Sequence, residues 1–287
     1  MKHILALTTI VALSLTGCQQ DNKQLKEDIR KIVAEEIQKA GVGGRGNAQQ
    51  PPQRRGPDPK AVYSVDVAGA PSDGPADAKI TIVKGYEYAC PFCEKVRPTL
   101  DEIKKKYGND VRIVYKQYVV HPQSATIPAL AVCAAHKQGK FKAMDEVMWE
   151  KGFKGGRKFA QEDIEGYAKE AGLNVGQLKT DMEACKPIIA KEQADLARVG
   201  VTGTPAFYIN GRFIGGAQPL PAFEAVIAEE LEKANKAISG GIPAASYYQQ
   251  AVVEKGLKSM GDGAAPGARP AAIPVKPGAP VAVPVKP

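Results

Sequence analysis

The sequence predicts an α/β domain in which a long helical stretch separates two groups of strands. Apolar runs of strand length occur before residue 120 and again after residue 205, and the segments between them have helical spacing. The pair Asn210-Gly211, placed between two short apolar runs, predicts a β-hairpin. The tetrapeptide Cys90-Pro91-Phe92-Cys93 lies where a strand is followed by a helix. The predicted order is β, β, α, β, several helices, β, β, α.

The first half of the domain contains three predicted strands and one helix. Val62 to Val67 alternates apolar and polar residues, as a half-buried strand does. Lys79 to Gly85 and Val111 to Tyr118 are the second and third strands. Glu94 to Tyr107 has apolar residues at helical spacing, so one helix is expected between them.

The second half is mainly helical until the hairpin. Its predicted elements are three helices, a hairpin and a closing helix, over Ala125 to Trp149, Glu162 to Ala171, Gln177 to Arg198, Ala206 to Asn210 with Arg212 to Ile214, and Leu220 to Lys236. The folded domain therefore covers residues 61–238.

Composition separates this domain from its flanks. Many of the 29 glycines and 22 prolines lie outside the periodic segments. Residues 41–60 are rich in Gly, Gln, Pro and Arg and predict a flexible linker. Residues 239–287 predict a disordered Pro/Ala-rich tail, with Ala244 to Leu257 as a candidate for one more helix. The net charge of +8 comes from scattered lysines without an aromatic platform, so nucleic acid is not an expected partner.

The N-terminus predicts export and lipid anchoring. Residues 1–17 have a basic start and an apolar stretch too short to span a bilayer, as in a signal peptide. Leu15-Thr16-Gly17-Cys18 resembles the lipobox of bacterial lipoproteins, which implies acylation of Cys18. Gln19 and Gln20 replace the usual inner-membrane retention signal, which favours the outer membrane over the inner. The expected location is the periplasmic side of the cell envelope.

Residues 18–40 include an amphipathic helical stripe formed by Leu25, Ile29, Ile32, Val33 and Ile37. The stripe is too short to identify a coiled coil from sequence alone. Two interpretations stay open: a homodimer formed through residues 21–40, or a helix that docks on its own domain or near the membrane.

The spacing of Cys90 and Cys93 suits a small, reversible disulfide. Zinc sites and structural disulfides share a Cys-x-x-Cys motif, but its position at a helix N-terminus favours a reactive thiolate. In an oxidising compartment the four cysteines after Cys18 allow three pairings. Pairing Cys90 with Cys93 leaves Cys133 with Cys185.

Gly203-Thr204-Pro205 precedes the first strand of the hairpin and is a candidate cis peptide. A proline loop of this kind exposes the backbone of Thr204, which can pair with an extended polypeptide. Thr204 and Pro205 are therefore candidate substrate-binding residues.

Three groups of residues carry a family resemblance. They are Tyr88-Ala89-Cys90-Pro91-Phe92-Cys93, Cys133 with Gln138-Gly139-Lys140-Phe141, and the run from Gly200 to Gly211. With them, the stretch from about Pro75 to Ala237 resembles the DsbA-like branch of the thioredoxin superfamily. The resemblance implies a thioredoxin fold with a helical insertion at about residues 122–198.

The resemblance also implies thiol–disulfide exchange on exported polypeptides. Cys90 would be the nucleophile and Cys93 the resolving partner, with Phe92 contacting substrate. A membrane redox partner would recycle the pair, and neither metal nor cofactor is implied. A dithiol oxidase is the expected function. A disulfide isomerase or reductase is the alternative, and a Cu(I) metallochaperone is the alternative from a different class.

The remaining site residues concern tuning and stability. Pro91 removes an N–H beside the cysteines, and Glu87 lies three residues before Cys90. Where thioredoxin-like proteins commonly place a buried acid, this chain has Lys84, either directed inward or reaching water from an edge. His121 is expected to be a hydrogen-bonded loop residue. Relatives with cysteines at both places suggest a structural bridge between Cys133 and Cys185.

Overall fold

The computed structural model describes Lys31 and residues 56–262. The predicted signal peptide, the predicted lipidation site Cys18, most of the predicted amphipathic helix and linker, and the end of the predicted tail lie outside the described residues. The chain divides into two units, Met1–Arg54 and Arg55–Pro287, and residues 56–262 belong to the second. None of its helices is both long enough and apolar enough to cross a bilayer.

A five-stranded sheet forms the centre of the domain. Its strands are β1 (Ser72–Asp73), β2 (Ile80–Tyr86), β3 (Val111–Gln117), β4 (Ala206–Ile209) and β5 (Arg212–Gly215). They lie in the order β1-β3-β2-β4-β5. β2 and β3 are parallel, with Ile82 opposite Ile113, and the other pairs are antiparallel.

The helices flank this sheet and form the insertion. They are α1 (Pro91–Lys95), α2 (Arg97–Tyr107), α3 (Pro122–Lys137), α4 (Phe141–Val147), α5 (Gln161–Glu170), α6 (Val175–Arg198), α7 (Leu220–Ser239) and α8 (Ala244–Tyr247). A short 3₁₀ turn covers Gly108–Asp110, and π-helical turns cover Met148–Phe153 and Tyr248–Val253. The predicted α/β fold with a helical insertion is confirmed.

Alternation along the strands distributes side chains between two faces of the sheet. Ile80 and Ile82 pack on α2 and α7 through residues such as Ile103 and Phe223. Val83, on the opposite face, packs in a second cluster with the end of α6 and the C-terminal turn. A third cluster joins the end of β2 to the helical insertion, and it contains both Cys90 and Cys93.

Two predicted helices are divided in the structure. The helix expected over Glu94 to Tyr107 is interrupted at Val96, because Pro98 in the first turn of α2 has no N–H to continue the hydrogen-bond ladder. The helix expected over Ala125 to Trp149 is broken at Gly139, which has a φ of +68°. Glycine adopts this left-handed conformation readily, so it ends α3 before α4 begins.

The predicted strand Val62 to Val67 does not form. Val62 and Tyr63 make single bridges, to Arg212 and Leu257 respectively, and no ladder continues beyond them. Tyr63 and Val65 are nevertheless buried. The alternating pattern therefore reflects the burial of Tyr63 and Val65 against one face of the sheet. The sheet still has five strands, because the short, polar β1 forms in place of the predicted one.

The segment after α7 packs on the domain, whereas its composition predicts a tail from residue 239. Tyr247 is buried, and Tyr248 and Val252 belong to the second cluster. The Tyr248 hydroxyl donates a hydrogen bond to the Val65 carbonyl oxygen at 2.9 Å. Aromatic side chains supply enough buried surface to fix this otherwise Gly-rich and Ala-rich segment.

Candidate active site

Cys90 is the N-cap residue of α1, directly after the loop that follows β2. Its carbonyl oxygen accepts hydrogen bonds from the N–H groups of Cys93 and Glu94, and Pro91 occupies the first turn, where no N–H is needed. Both Cys90 and Cys93 are free thiols. Cys93 is fully buried, while Cys90 is 4% exposed.

The two thiols differ strongly in acidity. A hydrogen bond from Cys93 lowers the pKa of Cys90 to about 6, with further help from the Thr204 side chain and the N–H groups of Cys93 and Phe92. Burial acts against this shift. For Cys93, burial raises the pKa well above the ordinary value, and the Lys84 ammonium opposes that rise. Cys90 is therefore the better nucleophile and Cys93 the protonated partner.

The loop before β4 lies against Cys90. The Thr204–Pro205 peptide bond is cis, as the sequence indicated. The Cys90 thiol donates a hydrogen bond to the Thr204 carbonyl oxygen at 3.3 Å. A concavity of about 270 Å³ adjoins this loop, with Thr202, Thr204 and Phe213 among its lining residues. Phe92 lies on α1 with 57% of its surface exposed, so an apolar side chain is available next to the cysteines.

Lys84 is directed inward, which decides between the two orientations considered for it. It is 2% exposed, and its ammonium lies 4.6 Å from the centroid of the Tyr86 ring. Burial lowers the pKa of Lys84, while the nearby charges of Asp145 and Cys93 favour its ammonium form.

Glu87 anchors the loop after β3. It is fully buried, and its Oε2 accepts hydrogen bonds from the N–H groups of Val120 at 2.6 Å and His121 at 2.9 Å. Its other oxygen is bonded to the His121 ring at Nδ1. His121 is thus a hydrogen-bonded loop residue, and Glu87 holds this loop beside the end of β2.

Cys133 on α3 and Cys185 on α6 are joined by a disulfide, 52 residues apart in sequence. The predicted bridge is confirmed. It connects two helices of the insertion, α3 and α6, whose buried side chains pack together in the third cluster.

Asp145 belongs to the same buried region but was not singled out from the sequence. Its Oδ1 accepts hydrogen bonds from the Tyr88 hydroxyl at 2.5 Å and from Nε1 of Trp149 at 3.2 Å. The sequence does indicate that Asp145 and Trp149 lie on the same face of a helix, because they are one helical turn apart. Only the fold brings α4 next to the end of β2, so the sequence could not connect either residue to Cys93.

Comparison with known proteins agrees with this geometry. The family model of the DSBA-like thioredoxin domain matches residues 81–228, which is more than half of the chain. A thioredoxin-like oxidoreductase from Silicibacter pomeroyi DSS-3 is 27% identical, with a TM-score of 0.50, over 59% of this chain and 94% of that one. BdbD from Bacillus subtilis, in its oxidised form, shares the fold at 21% identity, with a TM-score of 0.55, over 60% of this chain and 98% of that one.

Curated relatives include a Na(+)/H(+) antiporter NhaA from Herminiimonas arsenicoxydans, 29% identical over 157 residues. That match covers 54% of this chain and 24% of the antiporter, so the chain spans about a quarter of the length of the curated relatives it matches. The family match covers the CxxC motif, the helical insertion and the Thr204–Pro205 loop. The chain belongs to the family of DSBA-like thioredoxin domains.

Proposed function

We propose that this protein is a dithiol oxidase that acts on exported polypeptides through a disulfide between Cys90 and Cys93. A substrate thiolate attacks the Cys90 sulfur, and Cys93 leaves as a thiolate and takes up a proton. A second substrate thiolate then attacks the mixed disulfide and displaces Cys90. The substrate loses two electrons and forms a disulfide, and the two protein sulfurs are reduced to a thiol and a thiolate.

The difference in acidity between the two cysteines supports this direction. A pKa of about 6 means that Cys90 is mostly thiolate at neutral pH, which stabilises the reduced protein and makes the disulfide a stronger oxidant. Phe92, the Thr204 backbone and Pro205 would receive the substrate. Phe92 is exposed on the helix that begins at the cysteines, the Thr204 carbonyl oxygen contacts Cys90, and Thr204 and Pro205 line an open concavity. Pro91, Lys84 and Glu87 would tune the pair.

The deciding experiment measures the reduction potential together with catalysis. The purified protein should introduce disulfides into a reduced substrate, and Cys90→Ser should abolish this. A potential as negative as that of thioredoxin, about −270 mV, would contradict the oxidase assignment and favour a reductase. Catalysed refolding of a scrambled substrate would favour the isomerase. Stoichiometric Cu(I) binding without thiol exchange would favour the metallochaperone.

Location and assembly are part of the proposal. Acylation of Cys18 would anchor the protein on the periplasmic side of the envelope, with the outer membrane favoured, and a membrane redox partner would reoxidise Cys90 and Cys93. Residues 21–40 would form the homodimer. Labelling with a radioactive fatty acid tests the first point, since Cys18→Ser should lose the label. The molecular mass with and without residues 21–40 tests the second.

A further inference from the structure

A cavity of about 250 Å³ lies where the helical insertion packs on the sheet. Its walls come from β3, from α3 and α6, from the start of α4, and from the segment before β1. Cys90 and Cys93 are not among the described residues that line it, so it is separate from the candidate active site. Ile188, which does line it, is 41% exposed, and the cavity is therefore accessible from the surface.

Most of the cavity wall is apolar. Val132, Phe141 and Ile189 are buried members of the third cluster, and the half-buried Tyr115 packs against them. An apolar cavity of about 150 Å³ in a protein core holds one benzene molecule. The larger volume here therefore has room for a group of that size together with a short polar arm.

Two polar side chains interrupt this apolar wall, Gln117 at the end of β3 and Glu192 on α6. They are 5% and 8% exposed, so each is more than nine-tenths buried. Gln117 Oε1 has no hydrogen-bond donor within the part of the chain that the structure describes. Glu192 Oε2 accepts a hydrogen bond from the Gln117 backbone N–H at 2.8 Å. Because a buried acceptor without a donor is destabilising, a molecule that fits this cavity should bring N–H or O–H donors.

The charges that face Glu192 are already engaged with other groups. Lys116 on β3 donates a hydrogen bond to the Asp66 carbonyl oxygen at 2.8 Å and lies 3.9 Å from the Asp195 carboxylate. Lys191 on α6 pairs with Asp195 at 2.7 Å. Among residues 56–262, no lysine or arginine forms a salt bridge with Glu192. Its carboxylate is therefore available to a cationic ligand.

We propose that this cavity is a binding site for a small primary amine with an aromatic or branched apolar body, whose ammonium group donates hydrogen bonds to Gln117 Oε1 and to the Glu192 carboxylate. The apolar body lies among Val132, Phe141 and Ile189. An ammonium group has three N–H donors and can satisfy both acceptors at once, whereas a hydroxyl group donates a single hydrogen bond. This site goes beyond thiol–disulfide exchange and does not depend on it.

Three matched compounds test the chemistry of the ligand by titration calorimetry at pH 8. Phenethylamine has both the aromatic body and the ammonium group, phenethyl alcohol has the same body with a hydroxyl, and methylamine has the ammonium without the body. We expect phenethylamine to bind and each of the other two to bind at least tenfold more weakly. Equal binding of either one would overturn the proposal, as would the absence of phenethylamine binding at millimolar concentration.

Two substitutions test the location. Glu192→Gln removes the charge, and Gln117→Met removes the unpartnered oxygen while keeping the backbone N–H that bonds to Glu192. Each should weaken phenethylamine binding by at least tenfold, and if one variant does not fold, the other decides. The matched control is Glu183→Gln, which removes an exposed carboxylate from α6 and should bind like the wild type. Unchanged binding in both cavity variants would place the amine elsewhere and overturn the proposal.

The pH dependence gives an independent readout. Burial raises the pKa of Glu192 to about 7, so the affinity for phenethylamine should rise by about tenfold between pH 6 and pH 8, as the carboxyl loses its proton. His136 and Lys137 also line the cavity, and a protonated His136 would repel the amine in the same direction. His136→Gln should keep most of this dependence and Glu192→Gln should lose it, while the opposite result would overturn the role of Glu192.

The outcome is distinguishable from that of the proposed function. The rate of Cys90 alkylation shows whether each cavity variant keeps the native fold around the cysteines. A protein that binds phenethylamine but oxidises no substrate would contradict the oxidase assignment alone. A protein that oxidises substrate but does not distinguish phenethylamine from phenethyl alcohol would contradict the amine site alone.

Discussion

The Cys90 thiol donates a hydrogen bond to the Thr204 carbonyl oxygen at 3.3 Å, although 114 residues separate the two in sequence. This contact places the Cys90 sulfur at the edge of the loop that precedes β4. An extended substrate that pairs with the Thr204 backbone would therefore bring its own sulfur next to Cys90. The same contact holds only for the thiol, because a thiolate has no proton to donate.

The first prediction concerns the reactivity of Cys90. Its alkylation rate in the reduced protein should rise with pH around a midpoint of about 6, since the thiolate is the reacting form. Cys93 should remain unmodified over the same range, because it is buried and its pKa is raised. Mass spectrometry of the alkylated protein locates the label. A midpoint at the ordinary thiol value of 9.0 would contradict the description of the site.

The second prediction links this acidity to stability. Folding lowers the pKa of Cys90 from 9.0 to about 6, so between pH 6 and pH 9 the unfolded chain binds this proton more tightly than the folded protein does. The stabilisation is therefore complete above pH 9 and is lost as the pH falls through 6. The oxidised protein has no such thiol. Unfolding of both forms in denaturant at several pH values should show the reduced form gaining relative to the oxidised form as the pH rises from 6 to 9.

The third prediction concerns the Thr204 side chain, which helps to lower the pKa of Cys90. Thr204→Val keeps the backbone and shape but removes the hydroxyl, so the midpoint of Cys90 alkylation should move upward. A hydrogen bond contributes about 1 kcal/mol net, so oxidation of a substrate should slow by about fivefold. Thr202→Val is the control, since Thr202 lines the same concavity without lowering the pKa of Cys90. Equal effects of both substitutions would argue against a specific role for Thr204.

The sequence could predict the elements of this site but not how they meet. Periodicity and the Asn210-Gly211 pair indicate the strands, and φ values of +43° and +84° confirm the turn. The side chain of Asn210 also accepts from the Thr81 N–H and donates to the Lys79 carbonyl oxygen. These contacts tie the hairpin to the start of β2. Nothing in the spacing of the chain indicates such long-range partners.

The orientation of Lys84 shows the same limit. Alternation along β2 places Lys84 on one of the two faces of the sheet, but the sequence does not show that α4 packs over that face and buries the Lys84 side chain. Asp145 and Trp149 come from a segment 60 residues later, and their partners are tyrosines on or after β2. Charged side chains that only tertiary packing buries, such as Lys84 and Asp145, therefore cannot be recognised as buried from the spacing of residues in the sequence.

The fourth prediction concerns the disulfide between Cys133 and Cys185. Replacing both residues with serine should lower the free energy of unfolding by about 4 kcal/mol, the chain-entropy value for a loop of 52 residues. Chemical denaturation measures the loss. Alkylation of Cys90 should keep its midpoint, because the bridge lies within the insertion and makes no contact that sets the acidity of Cys90. A changed midpoint with unchanged stability would contradict a purely structural role for this bridge.

The last prediction concerns Glu192 on α6. Burial raises the pKa of its carboxyl from 4.5 to about 7, despite a hydrogen bond from the Gln117 N–H and the nearby Lys116. A raised pKa means that the folded protein binds this proton more tightly than the unfolded chain. As the pH rises from 4.5 to 7, the free energy of unfolding of the wild type should therefore fall by up to about 3 kcal/mol because of this group.

Glu192→Gln keeps an oxygen that accepts from the Gln117 N–H at 2.8 Å but cannot ionise. Its stability relative to the wild type should rise by the same amount over that range, and denaturant unfolding at pH 4 and pH 8 measures the difference. Glu229→Gln, an exposed carboxylate on α7 with a lowered pKa, should give a change of opposite sign and smaller size. If the Glu192→Gln difference did not depend on pH, the carboxylate would have to be charged in the folded protein, balanced by Lys116 despite its burial.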